Sequence, residues 1–528
     1  MGEAMRAIRT MAAAGLLLAG TPAAAQVADP LEQTTDPADR AVMAEAADAV
    51  SSRKPDLARL DAVLAKLPRP TPLRGMVQTV RAGALAMARD PGPAVAAIED
   101  ALRLLPDDPR PKLVAVHIFT FSGSPQRAAD LWLAASREAP DFARMTDRYV
   151  LDALTGRLAE IGDRARADRI LAREGEIGYS AALAPERSGT ALAATLEAMR
   201  AGKVDEAATH INAIADPDDL MTLYIDRRYA ALWPRIAEWA GDDLSGQSLR
   251  YTQELRRDWV ASDTFDTATP YARRLASLRA YDVVIKLFLP MFDRVQPGGD
   301  VAGAEFLAPV VARALASTGR GAEARALLAK TAAALPDAAR EGGNALNIDA
   351  AYLTLAWLDA DWPDVIARSD AFLKQAKALG TNVNRNANLA VQARRACALF
   401  RAGREAEAQP AMAEVLLAQA VLPDPALDVL MCRGDTAGAR ALVIRRLADE
   451  NMRGWALRFV QPASPGDATP IARLMRPIAQ AVRTAPDVVK AANAVGRILP
   501  QPVDATLPKG FDPYRAQPTA APLGTGAT

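Results

Sequence analysis

Several things are scarce in this 528-residue chain. It has two cysteines, two histidines and 5% aromatic residues, and its 63 basic residues are balanced by 63 acidic ones. The poverty in histidine and cysteine leaves little material for a metal site. His117 and His210 have no second histidine or cysteine at ligand spacing, so both are expected to pack as ordinary helical residues and no cofactor is expected. The lack of basic excess argues against a nucleic-acid partner, since phosphates demand clustered Lys and Arg. The shortage of aromatic residues leaves Ala and Leu to carry burial, which suits close-packed helices and not sheets. No apolar run reaches the roughly 20 residues needed to cross a bilayer. Nucleophile-elbow, zinc-protease, phosphate-loop and calcium-loop patterns are also missing, so an enzyme is not expected.

What is present begins with the amino end. Arg6 and Arg9 precede an apolar stretch, Met11 to Gly20, and then the small residues Thr21-Pro22-Ala23-Ala24-Ala25. This order is that of a secretory signal over residues 1–25, with cleavage expected before Gln26 and a short flexible segment over 26–35. The expected location is therefore periplasmic, with extracellular as the alternative.

From residue 36 onward one pattern recurs: apolar residues at helical spacing, a tight turn, and a second helix ending near proline. Ala94, Ile98, Ala101 and Pro106 are repeated at a step of 34 by Ala128, Trp132, Ala135 and Pro140. A third copy is Ala324, Leu328, Thr331 and Pro336, after the turn Gly319-Arg320-Gly321. The small residues let the second helix approach the first, the large one fills the groove between them, and proline stops the helix. Further turns are marked by Arg53-Lys54-Pro55-Asp56, Gly162-Asp163, Gly202-Lys203, Arg279-Ala280, Ala360-Asp361, Gly403-Arg404 and Gly434-Asp435.

These residues resemble the tetratricopeptide-repeat family, whose repeat has this length and this small-large-small-proline order. The resemblance implies an all-α fold, a right-handed α-solenoid of about ten or eleven helical hairpins stacked in line. Arrays are expected over 36–240 and 241–460, parted by an interruption near Trp239 to Ser262. A capping helix pair over 461–499 follows. The last 29 residues, 500–528, hold six prolines and are expected to be disordered, with Phe511-Asp512-Pro513-Tyr514 the one piece able to dock in a groove.

Three features bear on function. Cys397 and Cys432 lie at an offset of about four residues, or ~6 Å, if their helices run side by side. With packed helices ~8–10 Å apart, buried free thiols are expected in place of a bond. Acid pairs such as Asp107-Asp108, Asp218-Asp219 and Asp242-Asp243 are expected as helix caps and solvated turns. The tryptophans are expected in the core, and Arg227-Arg228-Tyr229 in a salt-bridged turn. Lastly, six of the nine asparagines fall between Asn344 and Asn388. The resemblance places first helices on a concave surface, where Asn344, Asn347, Asn384, Arg385, Asn388 and Gln392 are candidates to grip a peptide backbone, because an amide both donates and accepts. The alternative for several of them is helix capping. The expected function is an exported scaffold that captures a peptide segment or helix of a protein partner. The alternative is a structural component of a secretion or polysaccharide-export assembly in the cell envelope.

Overall fold

Among the described residues, eight turns that lead one helix directly into the next are built alike. Each helix runs into one residue of left-handed backbone, Gly123, Gly162, Gly202, Arg279, Gly319, Ala360, Gly403 or Gly434. The next amide then donates to the carbonyl five residues back, as in Ser124 to Phe119, Arg320 to Leu315 and Asp435 to Leu430, at 2.8–2.9 Å. This closure satisfies a carbonyl that a helix end would otherwise leave without a partner, and it sends the chain straight into the second helix. Glycine fills six of the eight positions, since a Cβ is disfavoured there.

The structure is a computed structural model, and it describes residues 34 and 36–514 apart from 52–54, 89, 180–182, 300, 338, 340–342, 381–382, 465–467 and 504. The expected secretory signal, residues 1–25, and the turn residues Arg53 and Lys54 lie outside the described residues. Among the described residues the fold is all-α, with 27 helices and no strand. The chain divides into two compact units, Gly2–Ser180 and Ala181–Thr528. Near residue 240, where the sequence suggested an interruption, Gly241 to Leu244 separate the helix Trp233–Ala240 from the 18-residue helix Ser245–Ser262.

The first unit contains α1 (Pro37–Ser51), α2 (Leu57–Lys66), α3 (Pro72–Met87), α4 (Pro91–Leu104), α5 (Pro109–Phe121), α6 (Pro125–Glu138), α7 (Pro140–Ala143), α8 (Arg148–Glu160) and α9 (Arg164–Glu176). Helices α3/α4, α5/α6 and α8/α9 are hairpins packed along their length. The repeated residues are the points of closest packing: Ala94, Ile98 and Ala101 on α4, and Ala128, Trp132 and Ala135 on α6, are all fully buried. Prolines at the first turn of α3 to α7 fit because an initial helical amide needs no partner.

The second unit opens with α10 (Ala184–Arg200), α11 (Val204–His210), α12 (Pro217–Ile225), α13 (Trp233–Ala240) and α14 (Ser245–Ser262). It continues with α15 (Phe265–Ser277), α16 (Tyr281–Phe288), α17 (Ala304–Ser317), α18 (Gly321–Ala334), α19 (Leu346–Leu358) and α20 (Trp362–Leu379). The last helices are α21 (Arg385–Arg401), α22 (Glu405–Leu417), α23 (Pro423–Cys432), α24 (Thr436–Ala448), α25 (Arg453–Phe459), α26 (Pro470–Arg483) and α27 (Pro486–Val495). Successive first helices α15, α17 and α19 pack in a row, and so do α21 and α23. On α18, Ala324, Leu328 and Thr331 are fully buried, as on α4 and α6.

The pairs of this unit do not form an open line. One apolar cluster joins Ala191 to Leu244 with Leu346 to Leu499, so the last helices return to the first. The seam is polar and backbone-mediated. Asp226 and Gly496 form an antiparallel bridge, and the Arg497 amide donates to the Ile225 carbonyl at 2.9 Å. The Arg497 guanidinium stacks on Tyr224 at 3.4 Å and on Trp233 at 4.2 Å. A Cβ at Gly496 would stand 2.3 Å from the Ile225 carbonyl oxygen, so only glycine allows this approach. Arg227 and Arg228 donate to the carbonyls of Asn493 and Glu450, and Arg228 also pairs with Asp226 at 2.6 Å. The salt-bridged turn expected from sequence is thus also a clamp across the seam. An apolar end must be covered, and here the array's own beginning covers it.

Two expectations from the sequence are corrected. Residues 505–514 are not a featureless tail. Leu507 and Phe511 pack on the cluster formed by α14 to α19, and Arg256 lies 5.1 Å from the Phe511 ring and donates to the Asp512 carbonyl. Lys286 sits 4.2 Å from the centre of the Tyr514 ring. Composition suggested disorder because it counts average burial, whereas three large side chains and waiting cations are enough to dock a short proline-stiffened segment.

The second correction concerns the thiols. Cys397 and Cys432 form a disulfide with their Cα atoms 5.8 Å apart. The mean helix spacing does not apply where flanking residues are small: Ala393 and Ala396 on α21 and Ala426 on α23 are buried, and the helices meet closely. Thiol titration of the unfolded, unreduced protein should therefore find neither cysteine free. Replacing both by alanine should cost about 2–4 kcal/mol, measured by urea unfolding under non-reducing conditions. The turns make a separate prediction: Gly319→Ala should destabilise by about 1 kcal/mol and Ala360→Gly should stabilise by a similar amount, read as opposite shifts of thermal midpoint.

Candidate functional site

The hairpin geometry sets up a register in the second unit. The residue six places before each left-handed turn residue is Arg273 on α15, Arg313 on α17, Thr354 on α19 and Asp428 on α23. On α21 that place is Cys397, and Arg394, one helical turn earlier, takes the polar role. Helices that repeat the same hairpin present the same face, so these residues form a polar stripe over successive first helices. The Arg394 guanidinium donates to Thr354 Oγ1 at 3.0 Å. Its charge is disfavoured first by burial and further by Arg313, and is supported by Asp428. Burial, in turn, pushes the Asp428 carboxyl up to about 6 against the pull of Arg394. Asp428 is exposed on one side while protein crowds it on the others.

At one end of the stripe lies a cavity of about 580 Å³. Arg273, Arg279 and Arg313 line it, with Asn347, Thr354, Tyr281 and the buried acid Glu305. Phe306, Pro309, Val310, Ala351 and Leu355 supply apolar walls, and Ser464, from the loop before α26, reaches its rim. Glu305 accepts from Asn344 Nδ2 at 3.3 Å. Arg273 is exposed and makes no hydrogen bond or ion pair with a described residue, and the protein crowding part of its side chain, with no compensating charge, disfavours its charged form. Its neighbour Arg274 differs: it is buried and donates to Ser248 Oγ at 2.7 Å and Thr252 Oγ1 at 3.1 Å. Chemically the cavity offers guanidinium donors and an apolar wall, a combination suited to holding anions.

The asparagine cluster is dispersed by the fold. Asn347 alone lines the cavity, and its amide donates to the Asn344 carbonyl at 3.0 Å. Asn384 caps α21, accepting from the Ala387 amide at 3.1 Å, which is the capping alternative raised from sequence. Arg385 is exposed, and Asn382 lies outside the described residues. Asn388 Oδ1 and Gln392 Oε1, one helical turn apart on α21, are buried with no hydrogen-bond partner among the described residues. The arginines of the stripe were not singled out in the sequence, because arginine is common there and the 40-residue step from Arg273 to Arg313 is hidden until the turns are aligned.

Of the acid pairs, Asp108 is a helix cap as expected, and Asp219 is the one that needs a correction. Asp108 caps α6's neighbour α5 and pairs with Arg110 while buried, and Asp219 is no solvated turn. Asp219 accepts from Ser188 Oγ at 2.7 Å, and Ser188 Oγ accepts from the Asp216 amide at 2.8 Å. Burial, reinforced by Asp216, pushes the Asp219 carboxyl up to about 7. In the first unit burial lowers His117 to about 4. Among the described residues no group of three or more His, Cys, Asp or Glu is placed to hold a metal ion, and no helix is long and apolar enough to cross a membrane. Compared with protein-family models and with curated proteins, the sequence matches none.

The two titrating groups act in opposite senses. Asp219 is raised above its ordinary 3.8, so the stability it lends is present in acid and is lost as pH rises towards about 7. His117 is lowered from 6.5, so its contribution is present above 6.5 and is lost as pH falls towards about 4. Segment-resolved hydrogen exchange, corrected for intrinsic rates, should show α12 opening more readily at pH 8 than at pH 5 and α5 the reverse. Asp219→Asn should abolish the first trend and His117→Leu the second.

Proposed function

We propose that this protein is an exported binding scaffold built from tetratricopeptide-like hairpins, which holds a segment of a partner protein along the inner faces of α15 to α23. The observation that carries this reading is the polar stripe of Arg273, Arg313, Thr354, Arg394 and Asp428 at one register of successive first helices. These side chains are exposed or half-buried, so the row offers a bound segment ion pairs and hydrogen bonds along its length. A surface fixed by a closed circuit of helices and a disulfide also limits the ordering lost on binding. Fully buried small-large-small residues on α4, α6 and α18 support the repeat family. The Cys397–Cys432 bond is in keeping with export, because disulfides persist in oxidising compartments. A helix or extended strand of a partner, with charged side chains that meet the arginines and Asp428, fits this lining.

A photo-crosslinking amino acid at Thr354, compared with one at the exposed Glu323 on α18, tests the reading in cells. A discrete protein adduct is expected from position 354 and none from 323. No adduct from 354, or equal labelling from both, ends the proposal. A large stoichiometric complex caught equally at many outer positions turns it towards the structural role in an envelope assembly.

A further inference from the structure

The cavity at the end of the stripe has features that a protein-binding groove does not require. It is lined by both apolar and cationic side chains. Phe306, Pro309 and Val310 on α17 and Ala351 and Leu355 on α19 form the apolar side. Its volume, about 580 Å³, falls in the range of roughly 300–1,000 Å³ typical of small-molecule sites. Three arginines line it, Arg279 and Arg313 with interactions of their own within the protein, together with one acid, Glu305, which accepts from Asn344. Arg273 is the informative residue. It is an exposed lining residue with no ion pair or hydrogen bond to a described residue, next to the buried Arg274, which donates to Ser248 and Thr252.

We infer that this cavity binds a small organic anion with an apolar body, the anionic head meeting Arg273 and Arg313 and the body lying on Phe306, Pro309 and Val310. The planar fork of a guanidinium matches both carboxylate and phosphate oxygens, so the head is one of these two. Asn347 and Thr354 can donate to the same head from α19. The inference goes beyond the scaffold reading, and the purified protein alone reports on it.

Anilinonaphthalene sulfonate serves as the anionic probe, and phenylnaphthylamine, the same body without the sulfonate, as its neutral partner. Fluorescence titration of the purified protein should give saturable binding of one sulfonate probe per chain. Arg273→Gln and Arg313→Gln should each weaken it about 10-fold, the loss of one charged hydrogen bond, and leave the neutral probe unchanged. Arg257→Gln, on the exposed side of α14, should leave both probes unchanged. Arg273→Lys keeps the charge and should weaken binding less than Arg273→Gln, which separates loss of the cation from loss of folding. Circular dichroism and thermal midpoints check that each variant is folded. Displacement by decanoate identifies a carboxylate head and by decyl phosphate a phosphate head, and either supports the inference. Sulfonate binding as tight in both glutamine variants as in the parent, equal affinity for the two probes, or displacement by neither competitor would overturn it.

Discussion

Close approach between helices at alanine is what this architecture rests on. Where Ala94, Ala101, Ala128, Ala135 and Ala324 meet a neighbouring helix, they leave no accessible surface, and the larger Ile98, Trp132 and Leu328 fill the grooves between. A helix pair so poor in aromatic residues buries too little on its own, and it is stable only against the next pair. The turn chemistry follows from the same need. A helix that must double back at once to meet its partner ends in a left-handed residue, and the amide closure after it fixes the angle of return.

The second unit carries this logic to closure. Its last helices cover its first, and the seam uses backbone bridges, the Arg497 stack and a glycine at the point of tightest approach. Enclosing the inner faces has an electrostatic consequence. Arg394 and Asp428 are crowded by protein, which disfavours the charge of each, while each favours the charge of the other. Arg273 has no such support. The unbalanced charge lies where the wall opens into the cavity, and there a ligand can complete it.

The polar nest of Ser188, Asp216 and Asp219 shows why acid pairs are hard to read from a sequence. Asp218 and Asp219 are adjacent, yet Asp218 is exposed while Asp219 turns inward to Ser188. Neighbours on a helix differ by about 100° in direction, so adjacency in sequence says little about shared environment. The asparagine cluster teaches the same point. Its members crowd together along the chain, but Asn384 caps a helix, Asn347 faces the cavity, and Asn388 points to neither.

The sequence by itself determined the helices, the turns and the buried faces, because apolar spacing, glycine and proline act over a few residues and need no distant partner. The small and large apolar residues repeated at a step of 34, Ala94, Ile98, Ala101, Ala128, Trp132 and Ala135, are fully buried for that reason. Tertiary structure alone decided the rest. Whether Cys397 reaches Cys432, whether Leu507, Phe511 and Tyr514 find a groove, and which arginines share a wall all depend on how successive hairpins are inclined. Small changes of angle accumulate along a stack, and no local pattern of residues records their sum.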